Sequence, residues 1–264
     1  MSQHSLEALA ALLDSAQQTA TATQQLTALR DLTLADAERV QALLVARRLA
    51  RGERRIGVKM GFTSRAKMAQ MGVSELIWGR LTDTMLLEDD GLIELSAFIH
   101  PRIEPEIAFR LKAPLAADAG PGAAFAAIDA VAPAMEVIDS RYRDFRFTLA
   151  DVVADNSSSA ALVIGPWTLP PADLSNLGMV MSFNGRPVQF GSTGAILGHP
   201  VRALCAAARL AAAAGESLQP GSIVLAGAAT PAEALLPGVT VRLEAGRLGR
   251  TQIRASQARK AEAA

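Results

Sequence analysis

Between residues 102 and 109 the chain reads Arg-Ile-Glu-Pro-Glu-Ile-Ala-Phe, with apolar residues alternating around two carboxylates. A period of two belongs to a strand, so Glu104 and Glu106 share one face while Ile103, Ile107 and Phe109 take the other. Any fold that accepts this strand must cover one face with a core and gather like charges on the opposite face. Two carboxylates about 5 Å apart repel by roughly 3 kcal/mol at an effective dielectric of about 20. A proton or a cation must relieve that cost.

Acid-x-acid triples also occur at Asp36/Glu38 and Glu88/Asp90. Glu104/Glu106 differ from these in their apolar strand context and in a third acid, Glu136, within Ala134-Met135-Glu136-Val137-Ile138. Three hard carboxylate oxygens with no His or Cys nearby select Mg²⁺ or Mn²⁺ over zinc. Spacing alone fits equally well with exposed strand glutamates, or with salt-bridge partners of Arg102 and Arg141.

The same alternation begins near residue 55, where Ile56, Val58, Met60 and Phe62 face one way and Arg55, Gly57, Lys59 and Gly61 the other. Lys59 is a cation in an apolar strand, flanked by glycines that leave room for a substrate. It can steady a developing enolate or relay a proton, or it can snorkel to the surface. Further strands are expected at 103–109, 134–138, 161–164, 179–183, 222–225 and 239–243, with a turn at Asn184-Gly185. Ahead of them, residues 5–50 read as helices: Leu6, Leu9, Leu12 and Leu13 form one stripe, and Leu43, Leu44 and Leu49 form another around Val40. Thr33 and Asp36 suit a capping pair. An Ala-rich helix is expected over 201–214, entered at His199 and stopped by Gly215.

The pattern predicts an α+β chain: an N-terminal helical lobe over 1–54, a predominantly β catalytic body over 55–254 and a flexible tail over 255–264. Half the residues are hydrophobic but only 4% are aromatic, so Ala, Val, Leu and Ile must build the core at close range. The 26 basic and 26 acidic residues cancel, which removes the field a nucleic-acid partner would need. The N-terminal stretch lacks a basic region followed by an apolar run, and no long uncharged apolar window appears elsewhere. The expectation is a cytoplasmic protein without a membrane partner. Cys205, the single cysteine, reads as a structural thiol in a helix. Asp155-Asn156-Ser157-Ser158-Ser159 crowds polar groups into one turn that suits either substrate anchoring or an ordinary Asx turn.

Four segments together carry a resemblance. They are Gly57-Val58-Lys59-Met60-Gly61-Phe62-Thr63-Ser64, Ile103-Glu104-Pro105-Glu106, Met135-Glu136-Val137-Ile138-Asp139-Ser140-Arg141-Tyr142 and Ala154-Asp155-Asn156-Ser157-Ser158. In this order and spacing, over roughly residues 30–253, the chain resembles the hydratase/decarboxylase family of aromatic meta-cleavage pathways, which is related to the fumarylacetoacetate hydrolase fold. That likeness implies a mixed β-roll or barrel. It also implies Glu104, Glu106 and Glu136 as ligands of Mg²⁺ (or Mn²⁺), Lys59 as the catalytic acid/base or orienting group, and Ser157 and Ser158 as substrate contacts.

Residues 63–73 and 138–142 are similar to the decarboxylase branch of that family. Hydratases tend to carry an acid before the aromatic-Gly turn, where this chain has Ile77 ahead of Trp78-Gly79. The implied reaction is decarboxylation of 2-oxo-3-hexenedioate. The alternatives are hydration of 2-hydroxypenta-2,4-dienoate, or service as a non-catalytic partner of such a hydratase, and association into homo- or hetero-oligomers is expected. Arg141 is expected to steer the distal carboxylate of the 2-oxo dicarboxylic acid, and Thr230 to contact substrate from a C-terminal turn. In that turn Ala226 and Ala228 replace a hydroxyl residue and a glycine, and residues 116–124 form a short loop at the rim.

Overall fold

The computed structural model describes residues 4–64 and 75–257, and its elements change from helix to strand at the predicted place. Helix α1 (Leu6–Thr19) is capped by Ser5, and α2 (Leu34–Ala50) by Thr33, whose hydroxyl accepts from the Asp36 backbone N–H. The α2 stripe differs from expectation. Ala37, Val40, Gln41, Leu44, Val45 and Arg48 are buried, whereas Leu49 lies on the exposed side. Arg48 is drawn inward because Glu53 pairs with it at 2.9 Å. Gln41 donates to the Trp78 carbonyl and accepts from Arg80, so α2 is tied to the strand that carries Ile77.

Thirteen strands follow in the described residues: β1 (Arg55–Gly61), β2 (Ile77–Thr82), β3 (Leu86–Leu87), β4 (Leu92–Ile93), β5 (Arg102–Leu111), β6 (Ile128–Ile138), β7 (Ser159–Ile164), β8 (Gly178–Phe183), β9 (Arg186–Ser192), β10 (Ile223–Leu225), β11 (Glu233–Ala234), β12 (Thr240–Ala245) and β13 (Arg250–Ala255). Three short or amphipathic helices interrupt them: α3 (Pro121–Ala126), α4 (Leu149–Ala154) and α5 (Pro200–Ala213). The larger sheet runs β2-β1-β10-β5-β6-β7-β3, with β11 beside β5, and the smaller runs β4-β13-β12-β8-β9. His199 enters α5 as expected, its ring nitrogen accepting from Val201 N–H. Cys205 is half-buried on that helix, and burial raises its thiol pKa.

The two faces of the larger sheet have different occupants. One face sends Val58, Met60, Ile107, Phe109, Val131, Met135 and Val163 into the main core, which the smaller sheet and α5 close with Met181, Val241, Leu243, Leu204 and Ala207. The other face carries a second, smaller apolar cluster of Leu81, Met85, Ala108, Ala134, Leu162 and Leu225. Fully burying a Leu or Ile side chain contributes about 1.5–3 kcal/mol, so the first face supplies most of the drive to fold. That leaves the second face free to hold polar groups.

The chain end corrects one boundary. Ala255 pairs with Ile93 as the last residue of β13, and the Ser256 hydroxyl accepts from Leu95 N–H, so both residues are held against the body rather than belonging to a tail. The expected tail from 258 onward lies outside the described residues, as do residues 65–73 of the decarboxylase-like segment. Among the described residues, no helix is long and apolar enough to cross a membrane.

Candidate active site

In the antiparallel β5–β6 ladder, Glu104 lies opposite Glu136, Glu106 opposite Ala134 and Arg102 opposite Ile138. Directly opposed residues share a face. The three acids therefore converge, with one carboxylate oxygen from each lying within 4.8 Å of the others. Burial deepens along β5: Arg102 is exposed, Glu104 is partly buried and Glu106 is fully buried. Beyond Glu106 the same face carries Ala108, Ala134, Leu162 and Leu225, which pack together as a small apolar cluster.

Lys59 reaches this group from β1. Its ammonium lies 2.9 Å from Glu136 Oε2 and donates to the Ser157 carbonyl at 3.2 Å. Burial alone would discharge Lys59, but the field of Glu136, Glu104 and Glu106 outweighs it and holds the amine above its ordinary pKa. Burial works the other way on the acids. It pushes Glu136 up from 4.5 to about 7 against the pull of Lys59, and it carries Glu106 well above the usual carboxylate range, helped by the charge on Glu136.

Glu106 Oε2 accepts from Gly227 N–H at 2.8 Å, while Glu106 Oε1 and Glu136 Oε1 are buried without a hydrogen-bond donor. Orphaned buried carboxylate oxygens cost free energy unless something positive meets them. Three ionised carboxylates facing one ammonium leave an excess of negative charge that one divalent cation would neutralise. The all-oxygen donor set suits Mg²⁺ or Mn²⁺. These residues fit such an ion.

Above the acids opens a cavity of about 590 Å³. Its walls include Phe62, Ile77, Ile138, Phe145, Phe147 and Val152, with Lys59, Glu104, Ser157 and Ser158 at the polar end and Arg102 and Asp144 among the lining residues. The room beside Gly57, expected for a substrate, is filled by the Ile223 carbonyl of β10, which a Cβ at Gly57 would meet at 1.8 Å.

Ser157 and Ser158 are held in an unusual turn, in which Asn156, Ser157 and Ser158 have φ of 49°, 54° and 57°. Each such non-glycine residue costs on the order of 1–3 kcal/mol, so the surroundings must hold the turn in place. Asn156 accepts from Arg80 N–H and donates to Arg80 C=O, and the Ser157 hydroxyl donates to the Trp78 carbonyl. Gly79 is required between them, since a Cβ there would lie 2.6 Å from the Asn156 carbonyl. The reward for this strain is the Ser157 carbonyl that receives the Lys59 ammonium.

Two expected substrate contacts are not brought into the cavity wall. Arg141 is 1% exposed. Its guanidinium donates to Asp155 Oδ1 and to the carbonyls of Asp139, Ser159 and Asp155. The carboxylate of Asp155 is itself fully buried and pushed up to about 6 by that burial, against the pull of Arg141. Arg141 is thus a framework residue: carbonyls and Asp155 surround it where substrate was expected. Thr230 lies between the lining residues Ala228 and Pro231; its hydroxyl donates to the Pro231 carbonyl and its methyl packs toward Gly191. Arg102, read in the sequence only as a salt-bridge partner of the glutamates, is among the lining residues, and the alternation that paired Glu104 with Glu106 puts it on their face. Asp144, Phe145, Phe147 and Val152 also line the cavity and carried no signal in the sequence.

Residues 56–255 match the fumarylacetoacetate (FAA) hydrolase C-terminal family. Over 241 residues the chain is 58% identical to a 4-oxalocrotonate decarboxylase of a Pseudomonas species, covering 91% of this chain and 94% of that protein. It is 37% identical over 211 residues to the 2-keto-4-pentenoate hydratase of Paraburkholderia xenovorans strain LB400, covering 79% and 78%. The solved structure of 4-oxalocrotonate decarboxylase from Pseudomonas putida G7, complexed with magnesium and adipate, superposes with a TM-score of 0.90 at 39% identity, covering 95% of this chain and 97% of that one.

Proposed function

The chain belongs to the fumarylacetoacetate hydrolase C-terminal family, and we propose that it is a magnesium-dependent carboxy-lyase of aromatic meta-cleavage catabolism. It converts 2-oxo-3-hexenedioate (4-oxalocrotonate) to 2-hydroxypenta-2,4-dienoate and CO₂. The observation that carries this reading is the set of three carboxylates, two of them fully buried with orphaned oxygens, converging beside Lys59 at the end of an apolar cavity.

Glu104, Glu106 and Glu136 would hold the ion. When bound, Mg²⁺ supplies a Lewis acid that draws electron density toward the C2 oxygen of a 2-oxo acid. The C5–C6 electron pair becomes the C4–C5 double bond, the C3–C4 double bond shifts to C2–C3, CO₂ leaves, and the C2 oxygen takes one proton. Lys59, kept charged by the acids and aimed by the Ser157 carbonyl, stands where it can stabilise that oxygen and hand over the proton. Phe62, Phe147, Val152 and Ile138 exclude water from the conjugated chain. Ser157 and Ser158 line the polar end and contact the substrate near Lys59.

Ile77 favours decarboxylation over the hydratase alternative. It lines the cavity with hydrocarbon where hydratases tend to place an acid able to activate water. The same reading assigns residues 1–54 to a helical lobe that braces β2 and α4, and 55–254 to the catalytic body. It also includes association with a hydratase that would consume the dienol, or with further copies of this chain. The test is a substrate panel with and without Mg²⁺, following CO₂ release and 4-hydroxy-2-oxopentanoate formation separately. CO₂ release that survives exhaustive chelation, or hydration without decarboxylation, would overturn the reading.

A further inference from the structure

We infer that Arg102 receives the distal carboxylate of the substrate and so selects six-carbon dicarboxylates, with β5 serving as the measure of length. The inference rests on the proposed decarboxylase reading and names how that site reads the far end of its substrate. Arg102, Glu104 and Glu106 are successive residues on one face of β5, running from exposed to fully buried. Two strand residues advance roughly 7 Å. A six-carbon diacid has five carbon–carbon bonds of about 1.5 Å between its carboxyl carbons, and extended it spans roughly 6 Å. With one end at the acids and Lys59, the other end falls beside Arg102.

The charges around the cavity support this placement. Among the described lining residues the cations are Lys59 and Arg102, and Lys59 is committed to Glu136 and the Ser157 carbonyl. Arg102 makes no ion pair among the described residues. Its guanidinium lies 4.8 Å from the Phe145 ring centroid, which steadies it at the cavity wall and leaves its N–H groups for a ligand. Arg141, expected to meet the distal carboxylate, has spent its donors on the framework.

A cation beside the carboxylate that departs holds the bound substrate, and its grip loosens as neutral CO₂ forms. Arg102 is therefore a specificity-determining residue whose mark falls on KM rather than on kcat. The experiment measures adipate, glutarate and hexanoate binding to the Mg²⁺-loaded protein by calorimetry, alongside turnover of 2-oxo-3-hexenedioate, for the wild type, Arg102→Gln and Arg102→Lys. In Arg102→Gln, KM and the adipate dissociation constant should rise roughly tenfold to a hundredfold, the loss of one charge-assisted contact. Hexanoate binding should hold, the preference of the wild type for adipate over glutarate should be lost, kcat should hold or rise because the contact weakens as CO₂ forms, and Arg102→Lys should recover part of the loss. Equal weakening of adipate and hexanoate, or a fall in kcat at constant KM, would overturn the inference. If the wild type releases no CO₂ yet its preference for adipate depends on Arg102, the decarboxylase reading fails and the length selection stands. If the wild type turns over and Arg102→Gln keeps the wild-type adipate preference, the length selection fails alone.

Discussion

Two clusters of buried charge lie on either side of the 156–158 turn, and they are finished to different degrees. Around Arg141, four guanidinium hydrogen bonds and the Asp155 carboxylate close a network. Around Lys59, three carboxylates meet a single ammonium, and Glu106 Oε1 and Glu136 Oε1 are left without donors. A closed network has nothing left to offer a ligand and serves to fix the backbone. An open one in an equally buried place holds stability in reserve, which something from outside must supply.

The strongest way to break this comparison is Glu106→Gln. Removing a ligand charge from the open cluster should lower turnover by about a thousandfold or more, the scale of lost Lewis-acid stabilisation. It should leave the melting temperature of the metal-free protein no lower than the wild type's, because a neutral amide relieves repulsion. A less stable metal-free variant would show that the cluster is closed after all. Arg141→Leu should do the opposite, costing about 3–5 kcal/mol of folding free energy in urea unfolding, since Asp155 is left buried and unpaired. Lys59→Met should lower kcat by about a hundredfold to ten-thousandfold, the range for a lost general acid, with Mg²⁺ binding retained and read by calorimetry.

Acidity sharpens the contrast. Glu136 is raised from 4.5 to about 7 and Glu106 also upward, so the metal-free fold holds protons that the unfolded chain has already released. The stability these groups contribute is complete below about 4.5 and lost as pH rises through about 7. Asp155, raised from 3.8 to about 6, adds a loss in the same direction that Mg²⁺ cannot repair. Melting temperatures of the metal-free protein should therefore fall between about pH 5 and 8, and the rise produced by Mg²⁺ should grow over the same interval as the carboxylates ionise. A magnesium effect that is constant with pH would contradict this. The smallest effect is expected for Ser157→Ala, about 1 kcal/mol of stability from the lost bond to the Trp78 carbonyl, measured by urea unfolding.

The open cluster was the more legible of the two in the sequence. Alternation on β5 identified Glu104 and Glu106, and the apolar setting of Glu136 pointed to the same face, because side-chain direction in a strand is a local property. The strand from 103–109 and the α5 helix were found for the same reason. The burial of Arg141 could not be read from the sequence, because nothing local distinguishes an arginine wrapped in carbonyls from one that greets a substrate; the difference lies in Asp155, Ser159 and their contacts. The left-handed turn at 156–158 was equally hidden, since its conformation is imposed by Arg80 and Trp78, more than seventy residues away. In the α2 stripe Val40 and Leu44 are buried as expected but Leu49 is not, for a similar reason, because Gln41 and Arg48 are buried by partners outside the helix.

The pairing of Glu104 with Glu136 across the ladder carries a lesson for anyone editing this gene. One extra residue inside β5 or β6 rotates every following side chain to the opposite surface and drives carboxylates into the oil of Phe109 and Met135. The connector between those strands answers to no such rule only over residues 116–123, which are largely exposed, because Leu115, Ala124 and Ala127 on either side are buried in the main core. Insertions or tags belong there, away from the strands in which counting by ones turns Glu104, Glu106, Glu136 or Lys59 out of the site.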